Sequence, residues 1–189
     1  MGINWKRKLF HILFSLFLFA LYKFSEKVFF LLILSVLLIL SLIWEFLRIK
    51  YPEKVPLPKL WAPLLKKSEL QRVSDGTFYL LGILMSTLLV AGRDLEYLIL
   101  VLGLADPLAG IVGGLYGKNF LKSNKSLPGS LTFFFCSFLI GGLYLNYPFW
   151  ILVITALLLS CLEFFSQRDN FWVPFGGALF LKIINALPK

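Results

Sequence analysis

Asp106 is the first residue whose type and position indicate chemistry, because it lies in the middle of an apolar run and is followed by Pro107. A charged side chain inside a membrane segment costs at least about 2.5–3.5 kcal/mol on insertion scales, so it indicates a functional role by default. Pro107 has no N–H and leaves the carbonyl of Gly103 without its helical donor. A local break in the helix there would create an oxygen-rich site of the kind that Mg²⁺ prefers. A protonated aspartic acid bonded to a neighbouring helix is the alternative.

A second group of residues has the composition of a phosphate-binding turn. Glycines at 110, 113, 114 and 117 lead to Lys118 and Lys122, and then to the segment Lys125-Ser126-Leu127-Pro128-Gly129-Ser130. A cationic, amide-rich turn that opens a helix is suited to hold phosphate. The segment is not a Walker A motif, and close helix packing explains the glycine spacing equally well.

Further ionisable and amide side chains lie near the ends of other apolar runs. Arg7 and His11 share one helix face at i, i+4, and Glu45 and Arg48 form a candidate ion pair at i, i+3. Ser74, Asp75, Asp169 and Asn170 stand where helix caps are common. The remaining members of this set are Lys8 and Glu163.

The composition defines the environment in which these residues act. Hydrophobic residues make up 59% of the 189 residues and charged residues only 15%, which excludes a water-soluble fold and predicts an all-α, polytopic bundle of transmembrane helices. The net charge of +9 indicates basic cytoplasmic loops and anionic lipid rather than nucleic acid. With a single histidine, and with Cys136 and Cys161 isolated in apolar runs, acidic residues must carry any metal.

The chain divides into about seven spans within one integral membrane domain, residues 1–189. The spans are predicted at Leu9–Tyr22, Val28–Leu47, Gly76–Ala91, Leu95–Tyr116, Pro128–Leu145, Pro148–Phe165 and Phe171–Leu187. Residues 48–75 form a surface loop rich in proline, with a short amphipathic helix expected around Leu60–Val73. Six spans and one re-entrant or surface segment remain an alternative.

The positive charges predict the orientation of this bundle. Most of the 19 Lys and Arg residues fall on the face that holds the N-terminus and the 48–75 loop, so that face is expected to be cytoplasmic. The candidate residues named above gather at the same face. The short loops favour a cell inner membrane, and the sequence leaves a homo-oligomer open.

Several motifs together give the chain a family resemblance. They are Arg7-Lys8-x-x-His11, Glu45-x-x-Arg48, Gly76-Thr77-Phe78-Tyr79, Asp106-Pro107-Leu108-Ala109 leading to Gly117-Lys118, Lys125-Ser126-Leu127-x-Gly129-Ser130, and Glu163 with Asp169-Asn170-x-x-x-Pro174. In their order and spacing the chain resembles the membrane kinase family that contains dolichol kinase, phytol kinase and CTP-dependent diacylglycerol kinase. The resemblance implies transfer of a terminal phosphoryl group from CTP or ATP to the hydroxyl of a polyprenol, an isoprenoid alcohol or diacylglycerol, with Mg²⁺ as cofactor.

The resemblance also suggests roles for individual residues, since phosphoryl transfer needs positioning and charge neutralisation above all. Asp106, Asp169 and Glu163 are assigned to Mg²⁺, and Lys118 and Lys125 to the phosphates. Ser126, Gly129 and Ser130 supply hydrogen bonds, and Glu45 or Asp106 takes the hydroxyl proton. Arg7, Lys8, His11 and Arg48 position the nucleotide or an anionic product, with Asp75 and Asn170 beside them.

Two other activities stay open at this stage. A phosphatidate cytidylyltransferase also uses CTP but attaches the nucleotide, and this sequence lacks the long acidic C-terminal signature of those enzymes. A small transporter would also place an acidic residue in the middle of the membrane.

Overall fold

The computed structural model describes residues 3–117 and 125–187. These residues form helices joined by turns, and no β-strand occurs among them. The α-helices are α1 (Trp5–Phe24), α2 (Lys27–Lys50), α3 (Pro58–Trp61), α4 (Asp75–Leu89), α5 (Arg93–Leu100), α6 (Asp106–Tyr116), α7 (Leu127–Tyr144), α8 (Phe149–Phe165) and α9 (Asp169–Ala186). The predicted all-α bundle is confirmed.

Each of the seven predicted spans coincides with a helix. The π-helical segment Val101–Ala105 joins α5 to α6, so that the two form one continuous helix. Three helices are long and apolar enough to cross a membrane, namely Lys27–Lys50, Arg93–Tyr116 and Leu127–Tyr144. Two shorter helices, Asp75–Leu89 and Phe149–Phe165, are also apolar. The chain therefore has the character of a helical membrane protein.

The helices pack as a bundle around the continuous helix α5–α6, and α4 and α9 begin at the same end of it. Helix α4 packs against α9 and α2, α7 packs against α6 and α8, and α1 packs against α5 and the π-helical segment. Tyr97, Phe133 and Leu159 are fully buried in this core. On α2, large apolar side chains such as Leu32, Val36 and Ile39 are more than half exposed, as expected for a surface that faces lipid.

The two ends of the bundle carry different polar groups. At one end lie the starts of α1, α4, α7 and α9 and the ends of α2 and α8. At the other end, Lys23 pairs with Glu96 at 3.1 Å, and the hydroxyl of Tyr147 donates to Asp94 at 3.1 Å. These two contacts tie the helices together at the end of the bundle that lies opposite the motifs of the resemblance.

The surface segment between α2 and α4 does not contain the predicted amphipathic helix. Instead of one helix over Leu60–Val73, the chain forms α3, which ends at Trp61, and short 3₁₀ turns at Ala62–Leu64 and Lys67–Glu69. The carbonyls of residues 69, 70 and 72 accept hydrogen bonds from the guanidinium of Arg48 at 2.7–3.0 Å. Those carbonyls therefore bind the side chain of Arg48, and the carbonyl of Glu69 also accepts from the amide of Arg72 at 3.2 Å in a turn.

The helix around Asp106 is also different from the prediction, because it does not break. It widens into the π-helical segment immediately before Asp106, and α6 begins at Asp106 itself. Such widened turns are rare and occur frequently at functional sites. At Gly103, inside this segment, a Cβ would overlap the side chain of Ser15, so the glycine lets α1 approach closely.

Candidate functional site

Three carboxylates from three helices converge at one end of the bundle. They belong to Asp106 at the start of α6, Glu163 near the end of α8 and Asp169 at the start of α9. One oxygen from each lies within 4.8 Å of the others. We call these three residues the carboxylate cluster. The sequence placed all of them among the candidate ligands for Mg²⁺, although they are separated by up to 63 positions in the chain.

The carboxylate cluster offers the kind of donor atoms that Mg²⁺ prefers. Octahedral Mg²⁺ holds oxygens at about 2.0–2.1 Å, so adjacent ligands stand about 2.9 Å apart and opposite ligands about 4.2 Å apart. The three oxygens, which lie within 4.8 Å of one another, would have to draw together around the ion. All three donors are hard oxygen atoms, which suit Mg²⁺ and leave positions for phosphate oxygens.

Lys125 precedes Ser126, the N-cap of α7, and places its ammonium group in the carboxylate cluster. Its Nζ pairs with both Glu163 and Asp169. Burial alone would lower the pKa of Lys125, but the negative charges of Asp169, Glu163 and Asp106 outweigh it and raise that pKa. Lys125 therefore remains charged and holds two of the three acids together.

Lys8 reaches the third acid from α1. Its Nζ lies 3.8 Å from Oδ2 of Asp106 and donates to the Asp106 carbonyl at 3.5 Å. A Cβ at Gly110 would overlap this ammonium group, so the glycine makes room for it. With all groups ionised, three carboxylates face two ammonium groups and one negative charge is left, which favours a bound cation.

The turn that opens α7 lies near the carboxylate cluster, and its serine side chains make hydrogen bonds of their own. Oγ of Ser126 caps the helix by accepting from the amide of Gly129 at 3.3 Å. Oγ of Ser130 donates to Glu163 at 3.0 Å and orients that carboxylate. Lys118, assigned to the phosphates together with Lys125, lies outside the described residues, as does Lys122.

A second ionic group lies beside the first, between α1, α4 and the surface segment. Arg7 pairs with Glu69 at 3.0 Å and with Asp75 at 2.9 Å, and Lys66 pairs with Asp75 at 2.6 Å. Burial and the nearby carboxylate of Asp75 raise the pKa of Glu69, and Arg7 opposes that rise. Arg7 is therefore directed to these acids rather than to Asp106.

Glu69 is the residue that the sequence did not indicate. It is one of three acids, with Glu53 and Asp75, in a segment where solvated lysines dominate the pattern. Its carboxylate also accepts from the amides of Lys66 at 2.8 Å and Asp75 at 3.2 Å, so it anchors the surface segment to α4. An acid flanked by several bases was the only signal available for it.

Glu45 and Arg48 form the i, i+3 ion pair considered from the sequence, and both are buried. Besides pairing with Arg48, Glu45 accepts from the amide of Ser74 at 3.1 Å and from the hydroxyl of Thr77 at 3.3 Å. Glu45 therefore accepts hydrogen bonds at the N-terminus of α4, where the side chain of Ser74 makes no capping hydrogen bond. The structure does not bring Glu45 or Arg48 into the carboxylate cluster.

We expect Arg48→Met to destabilise the protein strongly. Removing one partner of a buried pair leaves the other charge without compensation, at a cost of about 3–5 kcal/mol. The midpoint of thermal unfolding in detergent should therefore fall well below that of the unmodified protein. Lys50→Met is the matched control: this lysine of the same helix turn is exposed and, among the described residues, its ammonium group contacts only the rings of Phe46 and Tyr51, so the midpoint should change far less. An unchanged midpoint for Arg48→Met would show that this pair does not hold the surface segment.

A cavity of about 190 Å³ opens beside the second ionic group. Its polar lining comes from Arg7, His11, Glu69, Ser74, Asp75 and Asn170. Its apolar lining comes from Phe10, Phe14, Trp44, Trp61, Leu64, Leu65, Gly76 and Tyr79. A pocket with a large apolar wall and a few convergent polar groups is typical of a small-molecule site. We call it the amphiphilic cavity.

The amphiphilic cavity adjoins the carboxylate cluster through two residues of its lining. Asn170 follows Asp169 in the chain, and its backbone N–H donates to Oδ1 of Asp169 at 2.9 Å. His11 stands one turn after Lys8 on α1, and Lys8 reaches Asp106. The structure therefore brings His11 and Asn170 between the two sites and leaves Glu45 and Arg48 to support the surface segment.

Comparison with known proteins gives one distant relative. No protein-family model matches the chain, and no solved structure matches it. A protein of Rickettsia prowazekii (strain Madrid E), described as uncharacterized protein RP860, is 28% identical over 191 aligned residues. The alignment covers 92% of this chain and 91% of that protein, so the likeness extends over nearly the whole length of both. The function must accordingly be argued from the geometry of the site.

Proposed function

We propose that this protein is a membrane phosphotransferase that moves the terminal phosphoryl group of a nucleoside triphosphate, CTP in the first instance, to the hydroxyl of a membrane lipid alcohol. The observation that carries the proposal is the convergence of Asp106, Glu163 and Asp169 around Lys125. Separate helices contribute these groups, so the bundle has to be assembled to bring them together. A structural ion pair needs one acid and one base, and this arrangement holds three acids.

The carboxylate cluster supports a role in binding a cation and phosphate together. The three carboxylates would hold Mg²⁺, and the bound ion would neutralise the charge of the phosphates. Lys125 and Lys8 add fixed positive charges on two sides of the same space. Ser130 fixes the orientation of Glu163, so the site is held ready by contacts of its own.

The amphiphilic cavity supports a lipid alcohol as the second substrate. Its aromatic and aliphatic wall suits a hydrocarbon chain, while its polar lining includes His11 and Asn170, the two residues next to the carboxylate cluster. Phe10, which lines it, is half exposed on the outer surface of α1. A lipid entering sideways would keep its chain among the helices and present its hydroxyl to the phosphate.

The positive charge of the motif-bearing end supports a cytoplasmic location for the site. Lys6, Arg7 and Lys8 begin α1 there, and the basic surface segment lies at the same end. By the positive-inside rule this end and the N-terminus face the cytoplasm, and a cell inner membrane is the membrane we propose. A nucleoside triphosphate is available on that side.

The direct test is transfer of label from nucleotide to lipid. Purified protein with Mg²⁺ and γ-labelled CTP or ATP is incubated with polyprenol, geranylgeraniol, phytol or diacylglycerol. We expect label in the phosphate of one lipid, and we expect chelation of divalent cations to abolish it. The labelled lipid and the better nucleotide then identify both substrates.

The same preparation distinguishes the other activities. Incorporation of α-labelled CTP into phosphatidate with release of pyrophosphate would replace the kinase by a cytidylyltransferase. Uptake of a solute into liposomes without consumption of nucleotide would indicate a transporter. Either result, with no γ-label in any lipid, would overturn the proposal.

A further inference from the structure

His11 is held by a carbonyl group that the widened helix leaves free. In a π-helix each carbonyl accepts from the residue five positions later. For Leu102 that residue is Pro107, which has no N–H. The Leu102 carbonyl lies 3.0 Å from Nε2 of His11 instead. Because a carbonyl oxygen only accepts, Nε2 carries the proton and donates it to this bond.

Two further contacts fix the orientation of the imidazole. The ring of His11 meets the ring of Tyr79 edge to face, with centroids 5.2 Å apart. One turn along α1, Ser15 fits against Gly103, donates to the His11 carbonyl at 2.8 Å and accepts from the Tyr79 hydroxyl at 3.0 Å. The ring is therefore positioned on two sides, and its Nδ1 makes no hydrogen bond to another residue of the described chain.

Asn170, which lines the amphiphilic cavity, carries a second acceptor atom without a donor. Asn170 is 5% exposed, and its Oδ1 has no hydrogen-bond partner among the described residues. Leaving a buried acceptor unpaired costs about 1–3 kcal/mol, which calls for an explanation. His11 and Asn170 both line the cavity, so its occupant is expected to bring O–H or N–H donors.

We propose that Nδ1 of His11 is the base that takes the proton from the hydroxyl of the lipid alcohol bound in the amphiphilic cavity, an inference that rests on the proposed phosphotransferase function. The amide oxygen of Asn170 hydrogen bonds but is too weak a base to take a proton. His11 also lies on the same side of α1 as Lys8, one turn earlier, and Lys8 pairs with Asp106. It is thus the basic group between the alcohol and the phosphate.

The chemical step balances with the groups present. The alcohol oxygen forms a bond to the terminal phosphorus, and the bond from that phosphorus to the bridging oxygen breaks. The bonding electron pair leaves with the nucleoside diphosphate. The hydroxyl proton passes to Nδ1, and the resulting imidazolium later releases a proton to water. Lys8 and Lys125 face the phosphate and favour its negative charge.

The acids near the amphiphilic cavity, and the two that the resemblance suggests as bases, Glu45 and Asp106, are occupied by other partners. Glu45 is bound to Arg48, to the amide of Ser74 and to Thr77. Glu69 is bound to Arg7 and to two backbone amides. Asp106 belongs to the carboxylate cluster. Each would have to give up a contact that supports the fold or the cation before it took a proton.

His11→Gln tests this role with little disturbance of the structure. The glutamine amide nitrogen is able to donate to the Leu102 carbonyl, as Nε2 of the histidine does, but the side chain has no basic nitrogen. We expect the rate of transfer at saturating substrates to fall about 100-fold, within the usual contribution of a general base. Binding of a nonhydrolysable nucleotide with Mg²⁺ should be unchanged. Tyr22→Phe, which removes a hydroxyl near the other end of α1, is the control with normal rate.

A lipid alcohol with a more acidic hydroxyl distinguishes a histidine that acts as a base from one that is only structural. Fluorine beside the carbinol carbon makes the hydroxyl easier to deprotonate, so the missing base matters less. We expect the loss in His11→Gln to shrink at least about tenfold on the fluorinated lipid alcohol. The same ratio is measured for His11→Asn, so the result does not depend on one variant. An equal loss on both alcohols, or no loss, would overturn the role of His11, whereas no transfer by the unmodified protein would overturn the phosphotransferase itself.

Discussion

Asp106→Asn is expected to reduce phosphoryl transfer at least about 1,000-fold while the helix bundle stays folded. The substitution keeps the shape of the side chain but removes one of the three negative charges that surround the proposed cation. It also leaves Lys8 without the carboxylate that lies 3.8 Å from its ammonium group. The loss of a cation ligand and of a positioned lysine both act on the charge that develops in the transition state.

The measurement pairs initial rates of lipid phosphorylation with binding of Mn²⁺, used as a spectroscopic substitute for Mg²⁺. Both should fall in Asp106→Asn, and the midpoint of thermal unfolding should stay near that of the unmodified protein. Glu53→Gln removes an exposed carboxylate from the same end of the bundle and serves as the control. Normal Mn²⁺ binding together with a normal rate would exclude Asp106 from the site.

The helices were predictable because the apolar runs are long and their limits are marked by polar residues and prolines. The start of α7 after Ser126 and the start of α8 after Pro148 follow from the capping preference of serine and the helix-opening preference of proline. The surface segment was predicted less well. Its carbonyls are taken by Arg48, a residue of α2, and no local pattern reveals a hydrogen bond from outside the segment.

The site was predictable to the extent that its residues are expensive inside a membrane. Asp106, Glu163 and Asp169 stood out because a carboxylate beside an apolar run requires a reason, and the structure places them together. Glu69 did not stand out, because an acid in a basic surface loop has an ordinary explanation. The position of His11 depends on the π-helical segment. The sequence predicted that Pro107 would free the carbonyl of Gly103, but in the widened helix the carbonyl that lacks its donor is that of Leu102.

Lys125→Met is expected to lower phosphoryl transfer about 1,000-fold and, at the same time, to tighten the binding of Mn²⁺ in the absence of nucleotide. The ammonium group of Lys125 now pairs with Glu163 and Asp169, two of the three acids proposed to hold the cation. Without it, the same acids attract a divalent ion more strongly. Transfer falls because a fixed positive charge facing the phosphates is removed.

This divergence of metal affinity and rate separates two roles for Lys125. A lysine that only holds α8 and α9 together would, when replaced, lower the midpoint of thermal unfolding and weaken Mn²⁺ binding as the carboxylates move apart. If Lys125 instead releases the acids to a cation and then binds phosphate, its replacement raises the metal affinity and lowers the rate. Lys59→Met, an exposed lysine of the surface segment, should change neither quantity. Weaker or unchanged Mn²⁺ binding in Lys125→Met would therefore reject the exchange of Lys125 for a cation, even if the rate is lost.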